Sequence, residues 1–257
     1  MNRLANKVAI ITGADGGICG KTSELFCEEG AKIVMIDIDP HVTELCAEIV
    51  AKGGEAVAMV ADASKRETWD KALALCLEKY GTVTTCVNGA AIFSKDELGG
   101  DWDTITVEKL HKVLDENLDA LLHSYQTVLR YMVDNGIRGS FLNFSSSTAL
   151  SWNGSGFQGY PISKAAILNG TKNMVKSVSK KTGIRFNCLA PNFVWTPKSA
   201  EIYKEDKYGP WFKSVTPFPD LGMPEDSAWA VVYLSSDEAK YINGVCLPTD
   251  GGWLTCN

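Results

Sequence analysis

The sequence predicts a doubly wound α/β fold: a mostly parallel β-sheet with helices on both faces. Three observations carry this. Short β-branched apolar runs alternate with amphipathic stretches of helical length along the whole chain. Several runs, such as Ile33-Val34-Met35-Ile36, are continuously apolar, as strands buried on both faces are. The first run passes directly into a glycine-rich turn and then a helix.

In chain order, Lys7–Thr12 reads as a strand and Lys21–Glu29 as a helix. Lys32–Asp37 is a strand, His41–Ala51 a helix and Ala56–Val60 a strand. Lys65–Lys79 is a helix and Thr85–Asn88 a strand. Val107–Asn135 is a long helical region with room for a bend. Gly139–Phe144 is a strand, Tyr160–Lys181 a helix and Ile184–Leu189 a strand. Asp226–Leu234 is a helix and Val245–Leu247 a last short strand. Trp195–Pro224 is the one long irregular segment, and a loop of that length in a compact domain is usually functional.

The 257 residues show no linker, repeat or low-complexity stretch, so one domain over residues 1–257 is expected. Hydrophobic residues make up 45% and charged residues 22%, which excludes disorder, collagen-like repeats and coiled coil. The net charge is −6 and no stretch concentrates basic residues, so nucleic acid is not an expected partner. No apolar run has the length of a membrane span, and Val8–Ile11 is too short for a secretory leader. The eight cysteines form no Cys-x-x-Cys pair, and the three histidines no metal-binding spacing, so no metal site is expected. Free thiols in a reducing cytoplasm are the expectation.

The first turn, Thr12-Gly13-Ala14-Asp15-Gly16-Gly17-Ile18-Cys19-Gly20, sits between the first strand and the first helix. Glycines there let the backbone turn tightly and approach a pyrophosphate resting on the helix N-terminus. The second strand ends in an acid, Asp37, about 20 residues on. A carboxylate at that place accepts hydrogen bonds from ribose hydroxyls and repels a 2′-phosphate, which points to NAD as cofactor.

The Thr-Gly-x-x-x-Gly-x-Gly pattern of this turn resembles the signature of the short-chain dehydrogenase/reductase family. Thr12, Gly13 and Gly17 match; Cys19 stands where the third glycine belongs. Further family motifs follow in order: Asp62 and Ala63 after the third strand, Asn88-Gly89-Ala90-Ala91 for Asn-Asn-Ala-Gly, and Asn117 at the helix-bend asparagine. Pro191-Asn192-Phe193-Val194-Trp195-Thr196 stands for Pro-Gly-x-Ile/Val-x-Thr, and Asp250-Gly251-Gly252 closes the chain. The resemblance covers essentially the whole sequence. It implies a Rossmann-type sheet and homodimers or homotetramers built on the long central helices. It also implies that Gly13, Asp15, Gly16, Gly17, Ile18, Asp37, Asp62, Ala63, Asn88, Ala90, Pro191, Val194 and Thr196 bind the dinucleotide, together with the catalytic Tyr160 and Lys164. A glycine restored at position 19 is expected to tighten NAD or leave it unchanged.

Two Tyr-x-x-x-Lys matches occur. Tyr203…Lys207 lies in a charged stretch with no serine-bearing strand upstream and reads as a solvated pair. Tyr160-Pro161-Ile162-Ser163-Lys164 opens a helix, with Pro161 suited to its first position. A spacing of four puts Tyr160 and Lys164 on one face. Upstream, Asn143-Phe144-Ser145-Ser146-Ser147 closes a buried strand. Oxidising an alcohol requires a base with a pKa near working pH, and free tyrosine, at about 10, is too weakly ionised. A lysine ammonium about 4 Å away supplies roughly 4 kcal/mol at an effective dielectric of 20. Tyr160 is thus the expected acid/base, and a serine hydroxyl the expected partner of the substrate oxygen. Aligning on Asn143-Phe144 selects Ser146, with Ser147 the alternative. By resemblance, Lys164 also holds the nicotinamide ribose, and Asn117 holds a water linking Lys164 to solvent.

These features predict an NAD-dependent oxidoreductase interconverting a secondary alcohol and a ketone. A 3-oxoacyl carrier reductase and a non-catalytic dinucleotide sensor are the alternatives. The first lacks an arginine or lysine at Gly16 to pair with a 2′-phosphate; the second has no use for an intact Asn117–Ser146–Tyr160–Lys164 set. Aromatics at Phe93, Trp152, Phe157, Trp195, Tyr203, Tyr208, Trp211, Phe212 and Phe218 suggest a bulky cyclic substrate such as a hydroxysteroid. Lys198, Lys204, Lys207 and Lys213 interleave with them, to meet a carboxylate or simply face water.

Overall fold

The continuous apolar runs become strands because side chains on both sheet faces find a core. In β1 (Val8–Thr12) every residue is buried. Ala9 and Ile11 join one hydrophobic cluster, Val8 and Ile10 the other. The computed structural model describes residues 2–91, 103–151, 158–196, 199–200, 210 and 213–256. Seven parallel strands line up in the order β3-β2-β1-β4-β5-β6-β7. They are β1, β2 (Lys32–Asp37), β3 (Glu55–Val60), β4 (Thr85–Asn88), β5 (Ser140–Phe144), β6 (Arg185–Pro191) and β7 (Cys246–Thr249). The predicted parallel α/β fold is therefore observed, as a Rossmann-like sheet in one domain.

Helix α1 (Gly17–Glu28), α2 (Val42–Ala51) and α3 (Arg66–Tyr80) connect the first four strands. Helix α4 (Val107–Ser124) runs through a π turn at Tyr125–Leu129 into α5 (Arg130–Asp134). Helix α6 (Gly159–Met174) runs likewise through a π turn at Val175–Ser179 into α7 (Lys180–Thr182). Helix α8 (Pro224–Ser235) packs on α1, and α9 (Trp253–Cys256) ends the described chain.

Strand order reverses between β1 and β4, where Thr12 and Asn88 are register partners. Ligands of open α/β sheets lie at such a switch point, beyond the C-terminal strand ends. On one face α1 and α8 cover Ile11, Met35 and Leu189; on the other α3 and the π turn after α4 cover Ile10, Phe141 and Phe186. Trp69 of α3 is fully buried and donates to Ala63 O at 2.8 Å, which pins the chain leaving β3.

Several boundaries differ from expectation. Helix α1 starts at Gly17 rather than Lys21, so the last glycines of the turn are already helical. Pro161 is the third rather than the first residue of α6, still within the turn whose N–H groups have no intrahelical partner. Helix α4 passes through Asn117 without a break; its departure from α geometry begins at Tyr125. The segment 195–224 is not wholly irregular: residues 199–200 and 213–215 are helical, and Val194 bridges Gly222.

Candidate active site

The dinucleotide end is built at the mouth of β1. Thr12 Oγ1 accepts from Gly89 N and Ala90 N, each at 3.2 Å, and so ties the β1 turn to the β4 turn. Gly13 has φ +69°, and a Cβ there would meet Ala90 N at 2.9 Å. A Cβ on Gly17 would meet Thr196 Cγ2 at 2.5 Å. Neither position has room for a side chain, so bare backbone lines this turn. Helix α1 then opens at Gly16 with no side-chain cap and no acid in its first turn. Its free N–H groups and positive dipole end are the ordinary place for a phosphate.

Asp37 closes β2. Its Oδ2 accepts from Asp15 N at 2.9 Å and its Oδ1 from Asp39 N at 3.0 Å. Two backbone donors thus fix the carboxylate beside the glycine turn, and each oxygen keeps a lone pair for a further donor. Asp15 in turn bonds His41 Nδ1 at 2.6 Å, and this carboxylate raises the exposed imidazole's pKa. The next residue, Ile38, is 72% exposed, an apolar face left in water beside that carboxylate. Asp62 Oδ1 accepts from Ser64 N at 2.8 Å, an Asx turn that shapes the chain after β3.

Asn88 is turned inward. Its Nδ2 donates to Asn143 Oδ1 at 2.8 Å and to Ser124 Oγ at 3.0 Å. Asn143 donates onward to Thr171 Oγ1 at 2.8 Å and Tyr125 Oη at 2.9 Å. The Asn88 side chain therefore joins β4, β5, α4 and α6 into one polar network, leaving its backbone at the cofactor end.

Two departures from family pattern turn out to be one arrangement. Cys19 is buried, and its Sγ occupies the space that a Cβ on Gly89 would need. The thiol that replaces a glycine in the first motif thus excludes a side chain in the second. Burial pushes that thiol up to about 12, so it acts as packing rather than as a nucleophile. Gly89→Asn alone should destabilise the fold by about 1–3 kcal/mol through overpacking. Adding Cys19→Gly should recover at least about 1 kcal/mol of that loss in a double-mutant cycle read by urea unfolding. Strictly additive effects would separate the two sites.

The catalytic end lies at the tips of β5 and β6. Lys164 is buried on α6, donates from Nζ to Phe144 O at 2.9 Å and lies 5.5 Å from the Tyr160 ring centroid. Ser145 Oγ donates to Lys164 O at 2.9 Å, which locks the helix to the strand end. Ser146 Oγ accepts from Thr148 Oγ1 at 2.9 Å and from Thr148 N at 3.3 Å, which leaves its own proton to give. Ser147 is fully buried and donates to Asn192 Oδ1 at 2.7 Å, so its proton is committed. Asn117 Nδ2 donates to Ser163 Oγ at 3.0 Å, and Ser163 donates to Tyr160 O at 2.7 Å. Asn117 therefore braces the backbone that carries Tyr160 and Lys164.

Burial lowers the Lys164 ammonium from its usual 10.5 to about 8. Below pH 8 the folded and unfolded chains both keep this proton. Between about 8 and 10.5 only the unfolded chain holds it, so folded stability rises with pH across that window. Wild type should gain roughly 3 kcal/mol on Lys164→Met over this range in urea unfolding. A constant difference would mean that the lysine is not desolvated.

Among the expected site residues, Pro191 is the last residue of β6, and Val194 and Thr196 follow it. Thr196 touches the glycine turn, and Ser199 Oγ bonds the Val194 and Thr196 carbonyls. Sequence reading passed over Thr12, Ser163, Ile38, His41 and Asn192. Thr12, Ser163 and Asn192 stand inside the quoted motifs; Ile38 and His41 carry no local signal. Phe93, Trp152, Phe157, Lys198, Tyr203, Lys204, Lys207, Tyr208, Trp211 and Phe212 lie outside the described residues. Among the described residues no group of side chains is arranged to hold a metal, and no helix is long and apolar enough to cross a membrane.

A bare-backbone turn at a sheet switch point, an acid fixed beside it, and a Tyr160–Lys164 pair whose helix is tied to a serine-bearing strand end match the layout of a dinucleotide-dependent oxidoreductase. A family model described as enoyl-(acyl carrier protein) reductase matches residues 13–254. The chain is 34% identical over 264 residues to 2,5-dichloro-2,5-cyclohexadiene-1,4-diol dehydrogenase LinX of Sphingobium indicum, covering 98% of both proteins. It is 31% identical to the NADP-dependent (R)-specific alcohol dehydrogenase of Lentilactobacillus kefiri, again covering 98% of both. A putative NAD(P)-dependent gluconate 5-dehydrogenase from Beutenbergia cavernae, solved with NADP, superposes with a TM-score of 0.88 at 28% identity, covering 98% of each chain. The chain belongs to the short-chain dehydrogenase/reductase family. It is an oxidoreductase of the kind that binds a nicotinamide dinucleotide.

Proposed function

We propose that the protein is an NAD-dependent dehydrogenase interconverting a cyclic, hydrophobic secondary alcohol and its ketone. The observation that carries this is the Tyr160–Lys164 pair on α6, with Lys164 tied to Phe144 and Ser145 at the end of β5, where Ser146 follows with its hydroxyl proton free to give. The dinucleotide, when bound, accepts or returns the hydride. The α1 N-terminus would hold phosphate, Asp37 would accept from the ribose hydroxyls, and Ile38 would offer adenine an apolar face. Ser146 donates to the substrate oxygen. Tyr160 removes its proton in oxidation and returns it in reduction. The Lys164 ammonium, 5.5 Å from the ring centroid, favours the phenolate over the neutral phenol. That support holds below about pH 8, where the lysine is charged.

Cofactor choice is inferred from Asp37 and Asp15, whose carboxylates would stand near the ribose of a bound dinucleotide. A 2′-phosphate would call for a cation there, and His41 is already engaged by Asp15. Thr196 lies against the glycine turn, and Phe218, 59% exposed, offers an apolar surface for a hydrophobic substrate. The diol dehydrogenase relative acts on a cyclic alcohol and favours a ring substrate here, with hydroxysteroids the bulkiest members of that class. Reduced thiols fit the cytoplasm, and the half-exposed Leu122 on α4 fits a homo-oligomer contact.

The test is a spectrophotometric screen of NAD⁺ reduction against cyclic, aliphatic, steroid and sugar alcohols. Cyclic or steroid alcohols should give the highest kcat/KM. A sugar alcohol ranking above all of them would refute the substrate class.

A further inference from the structure

Four residues close a ring of hydrogen bonds at the end of β2. Asp15 N and Asp39 N donate to the two Asp37 carboxylate oxygens, at 2.9 and 3.0 Å. His41 N donates to Asp39 Oδ1 at 3.0 Å, and His41 Nδ1 bonds Asp15 Oδ1 at 2.6 Å. The exposed imidazole is thus held by its side chain to the glycine turn and by its backbone to the turn after β2. Carboxylates face it from each of these: Asp15 from the glycine turn, Asp39 from the turn after β2, and Glu44, 3.7 Å from Nε2, on α2. Asp37 joins them through its bonds to Asp15 and Asp39. His41 is the one member of the ring that can carry positive charge. A carboxylate partner on Nδ1 keeps the proton there in the neutral imidazole, so ionisation removes the Nε2 proton. The ring then keeps its hydrogen bonds and gains one net negative charge.

We propose that His41 is a specificity residue whose charge sets how strongly this ring rejects a 2′-phosphate. Protonated, it offsets one carboxylate and lessens the repulsion of NADP. Neutral, it leaves the full negative charge of the ring facing the phosphate. NAD presents hydroxyls at the same place and feels the change far less. The preference for NAD over NADP therefore rises with pH as His41 loses its proton. The inference rests on the reading of Asp37 as the acid that meets the ribose, and deepens it. Asp15 holds the imidazole above its ordinary 6.5, so the change falls at neutral to alkaline pH. A phosphomonoester, with a second pKa of about 6, is by then dianionic and adds little titration of its own.

The test measures Kd for NADH and NADPH by fluorescence titration from about pH 7 to about pH 9, at one low ionic strength. Titration of Tyr160 or Lys164 acts on both dinucleotides alike and cancels in the ratio of the two constants. In wild type the NADPH/NADH ratio of Kd should rise at least about threefold across this range. In His41→Gln, neutral throughout, the ratio should be flat and no lower than the wild-type value at pH 9. In His41→Lys, charged throughout, it should be flat and at least about threefold lower than in His41→Gln. Opposite displacements by a neutral and a cationic side chain are not produced by a loss of shape. A flat wild-type ratio, or a slope that survives in His41→Gln, overturns the proposal. If NADH is still preferred at least about 100-fold in that case, the reading of Asp37 stands. A wild-type ratio near one at every pH, or no binding of either dinucleotide, overturns both.

Discussion

Tyr160→Phe will lower turnover by at least about 10³-fold while NAD affinity changes only a few fold. The substitution removes one oxygen and its proton. It leaves the ring that lies 5.5 Å from Lys164 Nζ. Helix geometry is held independently, by Ser163 Oγ on Tyr160 O and by Ser145 Oγ on Lys164 O. The loss should therefore fall on kcat rather than on folding or cofactor binding. Steady-state kinetics with a titration of NADH fluorescence separate these. Retention of a tenth of wild-type turnover would remove Tyr160 from the chemistry.

NAD will be preferred over NADP by at least about 100-fold in kcat/KM. Asp37 cannot swing away from a 2′-phosphate without giving up two backbone hydrogen bonds, at 2.9 and 3.0 Å. The Asp15 carboxylate stands beside it and holds His41 at 2.6 Å. A phosphate placed there meets fixed negative charge, the neighbouring His41 imidazole is already bonded to Asp15, and like charges held close cost several kcal/mol. Asp37→Ser should narrow the ratio at least about tenfold, chiefly by improving NADP. Comparable efficiencies with both dinucleotides in wild type would mean that Asp37 does not face the ribose.

The strands were legible to within two residues at each end because a parallel sheet buries both faces, and burial shows as an unbroken apolar run. Val8–Thr12 and Lys32–Asp37 are of this kind. The two π turns were not legible. Shifting a hydrogen bond by one residue changes no side chain, and Tyr125–Leu129 and Val175–Ser179 continue the amphipathic pattern around them. The start of α1 was missed because Gly17 has poor helix propensity and is held instead by contact with Thr196.

The site divides in the same way. Tyr160, Lys164 and Ser146 lie on one helix turn and one strand end, so local spacing brought them into view. The pairing of Cys19 with Gly89, the bond from Ser147 to Asn192 and the inward turn of Asn88 join segments far apart in the chain. Each motif departure looked like a separate defect in sequence. Only tertiary contact shows that the Cys19 thiol and the bare Gly89 answer one another.

The central claim is hydride transfer from an alcohol carbon to the nicotinamide at the Ser146–Tyr160–Lys164 site. It is tested most directly with a cyclic alcohol deuterated at the carbinol carbon, by mass spectrometry of the reduced dinucleotide. Wild type should give NADH carrying one deuterium, and its rate of formation should fall at least about 10³-fold in Tyr160→Phe. Reduced dinucleotide without label, or labelled product formed equally fast by the variant, would contradict it.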